Sequence, residues 1–171
     1  MNRMTGFSLT EVLVAILVLA VGLLGLAALQ IAGVRSNQTA YYRSIATQLA
    51  YDIADRMRAN PVGVTDGVYS SNKLLIADTD LTDQCENGSC TPDVLAGYDL
   101  KQWAFALKHK LPDGRGAVCS ITSTPTIGDS SSPGAGCASA PGSTYAVYIW
   151  WNDDRTGSTK QGFVTSFQLG N

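Results

Sequence analysis

Few residues in this chain have a type and spacing that could do chemistry, and the first of them is an acid. Glu11 is the single charge between Phe7 and Val34, in a run otherwise made almost wholly of aliphatic and small residues. An acid on a membrane-spanning helix costs up to about 2.5–3.5 kcal/mol if it reaches mid-membrane, so it needs a counter-charge, a route to the headgroups or a neutral form. Four cysteines, Cys85, Cys90, Cys119 and Cys137, all lie in the second half of the chain. An even count in an exported, loop-rich domain points to two disulfides and an oxidising compartment. Zinc would require close ligand pairs, whereas four residues separate Cys85 from Cys90 and the only histidine, His109, has no partner. Pairing Cys85–Cys90 and Cys119–Cys137 closes the shortest loops and is preferred, although sequence leaves all three connectivities open.

The remaining polar groups do not converge on a reaction. His109 sits between Lys108 and Lys110 with no evident nucleophile and reads as a solvated helix residue. Asn152-Asp153-Asp154 could ligate calcium, but it lacks the spaced acids of a dedicated loop, and a polar turn explains it as well. No glycine-rich phosphate loop is present. The reading is a protein that is not an enzyme and has no cofactor, metal or catalytic residue. With 171 residues, a formal charge of -2 and 45% hydrophobic residues, the chain has room for one globular domain and one membrane or packing segment. It is not built to bind nucleic acid as a whole.

The elements that would position these residues follow from periodicity. About 28 apolar residues, 7–34, exceed the roughly 20 a helix needs to cross a bilayer core. A cleavable secretory signal would be shorter and end in a small-residue cut site, so this segment is expected to stay in the mature protein. Arg3 and the starting amine hold the short end in the cytoplasm, with Arg35 and Arg43 opposing that bias, and the bulk of the chain faces outward. Beyond Arg35, Tyr41, Ile45, Leu49, Ile53 and Met57 recur every four residues beside Tyr42, Ala46, Ala50 and Ala54, which predicts an amphipathic continuation. Asp52–Arg56 and Asp55–Arg58 support its polar face, and Asn60-Pro61 ends it. One helix from Phe7 to about Ala59 would be roughly 80 Å long.

After Pro61 a loop is expected as far as Pro92, stapled near its end by Cys85–Cys90 and holding a weak apolar patch at Leu74-Leu75-Ile76. Leu100, Trp103, Leu107 and Leu111 mark a short amphipathic helix with Trp103 in the core, stopping at Pro112-Asp113-Gly114. Strands follow at Ala117–Ile121, Thr144–Trp151 and Gln161–Leu169, the last two joined as a hairpin through Asn152–Ser158. The Ser, Gly and Pro-rich loop Thr122–Ser143 would be floppy without a disulfide to Cys119. The fold class is α+β: a long N-terminal helix packed on a small antiparallel sheet with a short extra helix.

The stretch Gly6-Phe7-Ser8-Leu9-Thr10-Glu11-Val12-Leu13 resembles the processing site of type IV prepilins. That resemblance implies a leader, residues 1–6, removed after Gly6 by a prepilin peptidase, with Phe7 as the N-methylated new terminus. It also implies that Glu11 pairs with the terminal amine of a neighbouring subunit during assembly. Thr10 stands where an aliphatic residue is usual, and the mid-segment proline of many major pilins is absent. Together with the run Asp52–Pro61, the Asp99–Pro112 segment, Gly114-Arg115-Gly116 and the strand ending Trp150-Trp151, the chain resembles a PilV-type minor pilin. The implied organisation is leader 1–6, a membrane or filament-core helix 7–34, and a periplasmic head 35–171. The implied role is priming of pilus assembly at or near the tip, in support of twitching motility and adhesion. Its partners would be other minor and major pilins and the inner-membrane assembly platform, and it would move from the inner membrane to the surface fibre. A minor pseudopilin of type II secretion, or a membrane-tethered periplasmic binding module or enzyme, are the competing readings.

Overall fold

The computed structural model describes residues 8–75, 85, 88–128, 137–138, 141–153 and 160–169, and the chain divides into two compact units, Met1–Tyr41 and Tyr42–Asn171. The expected leader and Phe7 lie outside the described residues. Helix α1, Leu9–Ala59, is 51 residues long. In the first unit it has no buried side chain, and fifteen large aliphatic residues between Leu9 and Val34 are exposed. Burying such a side chain stabilises by about 1.5–3 kcal/mol, so together they demand lipid or protein around them on the scale of tens of kcal/mol.

In the second unit the same helix is one-sided. Ala46, Leu49, Ala50, Ile53, Ala54 and Met57 are buried, while Tyr42 and Ile45 pack partly against the same core. Tyr41, expected at the head of this stripe, is 60% exposed. Asn60 ends α1 and begins α2, Pro61–Thr65, by accepting a hydrogen bond from the Gly63 amide at 3.2 Å. Pro61 suits this first helical position because its missing N–H would have had no partner there.

Helix α3, Pro92–Lys110, is longer than the apolar spacing from Leu100 predicts. Its first turn shows other signals: Thr91 at the cap, Pro92 in the first turn, and Asp93 at the positive end of the helix dipole. Of its residues before Asp99, only Ala96 is buried, so the apolar period is silent there. Trp103 is in the core as expected, and its Nε1 donates to the Leu49 carbonyl of α1 at 2.8 Å. Its ring lies against β2, Arg115–Ser120, at Gly116, where a Cβ would come within 2.4 Å of it. Only glycine allows that approach.

The sheet is antiparallel with order β1-β2-β3-β4, adding β3, Thr144–Asn152, and β4, Lys160–Gln168, to β2. These are the three expected strands, shifted by one or two residues at their ends. The fourth, β1, Ser71–Leu75, takes Leu74 and Leu75 out of the segment read as loop, whereas Ile76 is outside the described residues. Five residues without clear alternation do not announce a strand; pairing with β2 makes it one, in a register that shifts between Ser71 and Leu75. Central β3 has both faces covered: Tyr145, Val147, Ile149 and Trp151 pack with α1 and α3, and Ala146, Tyr148 and Trp150 pack with Ala117, Cys119 and Ile121.

Candidate functional site

The first unit offers one ionisable group among aliphatics. Leu9 opens α1, the Glu11 amide donates to the Ser8 carbonyl at 3.0 Å, and the Ser8 and Thr10 hydroxyls bond each other at 2.8 Å. Glu11 therefore stands in the first turn, where the helix dipole favours an anion. Its side chain is exposed, and no cation among the described residues lies within ion-pair distance. Gly6 and Phe7, the expected processing residues, are outside the described residues, so nothing of their geometry enters here. A carboxylate placed this way can do one thing strongly: accept a cation brought to it in a low-dielectric setting, where an uncompensated charge is costly.

The head carries a second polar cluster, which reasoning from sequence missed. Arg56 was expected to pair with Asp52, and does so at 3.1 Å, but its guanidinium also reaches Asp99 at 3.1 Å and Gln102 at 3.1 Å on α3. The other oxygen of Asp99 accepts the Tyr69 hydroxyl at 2.5 Å. Asn60 then donates to Tyr69 at 3.3 Å and to the Pro92 carbonyl at 2.7 Å. Burial and the hydrogen bond to Asp99 push the Tyr69 hydroxyl well above its ordinary pKa. This chain of bonds ties the end of α1, the start of α2 and the first half of α3 together. Asn60 before Pro61 was a readable cap signal; Tyr69 had none.

Both disulfides are present, Cys85–Cys90 with Cα atoms 5.3 Å apart and Cys119–Cys137 with Cα atoms 5.5 Å apart. The pairing is the one that closes the shortest loops. Cys119–Cys137 fastens residues 137–138 beside β2, where the Ala138 amide donates to the Ser120 carbonyl at 2.8 Å. The start of the same loop crosses the outer sheet face, with Trp150 Nε1 donating to the Gly128 carbonyl at 3.2 Å. That loop is therefore tied at both ends.

His109 is exposed in the last turn of α3 and its ring lies 4.0 Å from that of Phe105. Asn152 is used structurally: its side chain donates to Asp113 at 3.2 Å and its amide to the Pro112 carbonyl at 2.9 Å, holding the turn between α3 and β2. Asp154 is outside the described residues. Among the described residues no group of three His, Cys, Asp or Glu side chains could hold a metal ion. A groove of about 530 Å³ lies beside the end of α1, walled by Met57, Val64, Pro141 and Leu169. Its one charged lining residue, Arg58, is already bonded to Asp55 at 2.6 Å.

Comparison with known proteins adds two matches that adjoin along the chain. Residues 1–27 match the prokaryotic N-terminal methylation motif, and residues 28–101 match the family described as type IV pilin Tt1218. The second spans the far half of α1 and every member of the Arg56–Asp99–Tyr69–Asn60 cluster except Gln102. No curated protein and no solved structure matches the chain.

Proposed function

We propose that this chain is a type IV pilin, as its matches over residues 1–27 and 28–101 indicate, and within that family a minor, PilV-type subunit that primes assembly of the filament and stays at or near its tip. In this reading residues 1–6 are a leader that a prepilin peptidase removes after Gly6, leaving Phe7 as the methylated terminus. Residues 7–34 hold the subunit in the inner membrane with residues 35–171 in the periplasm, until the assembly platform moves it into the fibre beside other minor and major pilins. Motility and adhesion then depend on it through the fibre it helps to start.

The observation that carries this reading is Glu11, an exposed carboxylate at the head of the apolar run Val12–Leu29 with no counter-charge among the described residues of its own chain. The amine created at Phe7 of a neighbour is a cation of the right kind, at the right depth, and it exists only after processing. Buried together, acid and amine compensate each other; docked out of register, both are left uncompensated. Register is therefore set by one pair within an otherwise featureless greasy surface.

Two measurements test it together. Mass spectrometry of the mature protein is expected to find Phe7 at the terminus with one methyl group; an intact Met1 would instead support a tethered periplasmic module. Glu11→Ala is expected to leave membrane insertion unchanged and to lower the amount recovered in sheared fibres at least tenfold, equivalent to about 1.4 kcal/mol of lost pairing. Incorporation at the normal level would refute the pairing.

A further inference from the structure

Helices α1 and α3 run in opposite directions within the second unit. Asn60, at the end of α1, donates to the Pro92 carbonyl at the start of α3 at 2.7 Å, Arg56 reaches Asp99 and Gln102, and the Leu49 carbonyl accepts from Trp103. Leu107 and Leu111 then share the core with Tyr42 and Ile45. The last turn of α3, Lys108-His109-Lys110, therefore lies at the end of the head where α1 enters it, at Tyr42. The turn after α3 and the end of β3 meet there too, through the Asn152 amide on the Pro112 carbonyl, and Asn152 is paired with Lys160.

That end is cationic and the other is not. Lys108, His109, Lys110 and Lys160 are all exposed, and none has an acid within ion-pair distance among the described residues. The acids nearby are taken: Asp113 holds Arg115 at 3.0 Å and Asn152 at 3.2 Å, and Asp153 has an interaction of its own. Lysines in the last turn of a helix suit its dipole, which accounts for Lys108 and Lys110 but not for Lys160 on the sheet. At the far end, Asp66 after α2 and Asp93 in the first turn of α3 hydrogen-bond to each other, and that bond raises the Asp66 carboxyl above its ordinary pKa. Neither has a cation within ion-pair distance among the described residues. The head is thus polarised along its part of α1, in a chain whose formal charge is only -2.

We propose that this cationic end docks the head onto a surface of anionic phospholipid headgroups. The inference rests on the membrane reading of residues 7–34 above. Charge complementarity and the tether select the occupant. Val34 and Tyr42 are separated by about 12 Å of helix, and the headgroup layer takes up about 5–7 Å of that. Whatever angle the head takes, the end that holds Tyr42 stays within about a Debye length, roughly 8 Å, of the surface. The far end, with Asp66 and Asp93, is repelled by the same surface, so the field also orients the head. Each lysine beside an anionic surface favours the docked state about fivefold, so Lys108 and Lys110 together favour it about 25-fold. Held so, the head lies on the membrane until assembly draws the subunit off it.

The test uses the full chain reconstituted in two kinds of vesicle, phosphatidylcholine alone and an equal mixture with phosphatidylglycerol. Both carry a little dansyl-headgroup lipid to accept energy from Trp103, Trp150 and Trp151. Transfer is expected to be about twofold higher in the mixed vesicles at low salt, and to fall to the neutral level at about 1 M salt, where the Debye length is about 3 Å. Lys108→Gln with Lys110→Gln is expected to remove the difference, and Lys108→Arg with Lys110→Arg to keep it, with insertion and unfolding of the head unchanged in both. If the chain inserts and transfer is the same in the two vesicles, the docking inference is wrong and the membrane reading stands. If the chain does not insert, both are wrong. Equal transfer together with retention of double-stranded DNA through the same two lysines would make this a nucleic-acid surface and likewise overturn the proposal.

Discussion

The first unit, Met1–Tyr41, and the second, Tyr42–Asn171, share one helix and treat its apolar residues in opposite ways. In the first, aliphatic side chains cover the whole circumference and none is buried. In the second, the apolar residues narrow to a stripe whose members from Ala46 to Met57 are buried in the core with α3 and the sheet. The difference teaches where each half draws its stability. Packing in the head is internal, whereas the helix of the first unit buries no side chain among the described residues. Substitutions in the head should therefore change unfolding and leave membrane insertion alone.

Trp103→Ala should give the largest change, since it removes a fully buried ring and the hydrogen bond to Leu49. A loss of about 3–5 kcal/mol is expected from denaturant unfolding of the head in detergent. Recovery of the variant in membranes should be unchanged, and its release from them would break the division between the two units. Next in size is the double change Cys119→Ser with Cys137→Ser. It frees a loop whose ends are 18 residues apart in sequence, and the chain-entropy model puts the cost at about 3 kcal/mol. Loss of near-ultraviolet signal from Trp150 should accompany it, because that indole is bonded to Gly128 in the same loop.

The smallest effect concerns pH. Tyr69 keeps its proton in the folded state above its ordinary value of 10.0, so the folded state binds more protons than the unfolded one in alkali. Its contribution to stability is whole below pH 10.0 and declines as the pH rises beyond it. Tyr69→Phe should reduce the alkaline slope of unfolding free energy by at most about 1.4 kcal/mol per pH unit. A residual slope should survive, because burial also raises Tyr145 and Tyr148. An unchanged slope would show that Tyr69 is not held as the cluster with Asp99 and Asn60 requires.

Much of the fold was legible. Periodicity carried the whole of α1 except Tyr41, which faces solvent, and alternation carried β2, β3 and β4 to within two residues at each end. Local signals of that kind are written in residues a few positions apart. β1 and the first two turns of α3 were missed because the first is created by its partner strand and the second is announced by a cap, a proline and an acid and not by apolar spacing. Cys119–Cys137 was named correctly by loop length, but that it anchors a loop across the Tyr148–Trp150 face was not.

By itself the chain of residues determined that one acid would stand alone in an apolar helix, that the helix would continue as an amphipathic spine, and that the cysteines would pair locally. Each depends on neighbours in sequence or on composition. Tertiary structure decided which groups Arg56 serves and why Gly116 has no side chain. These depend on residues brought together from as far as 46 positions apart, and no periodicity encodes a meeting at that range.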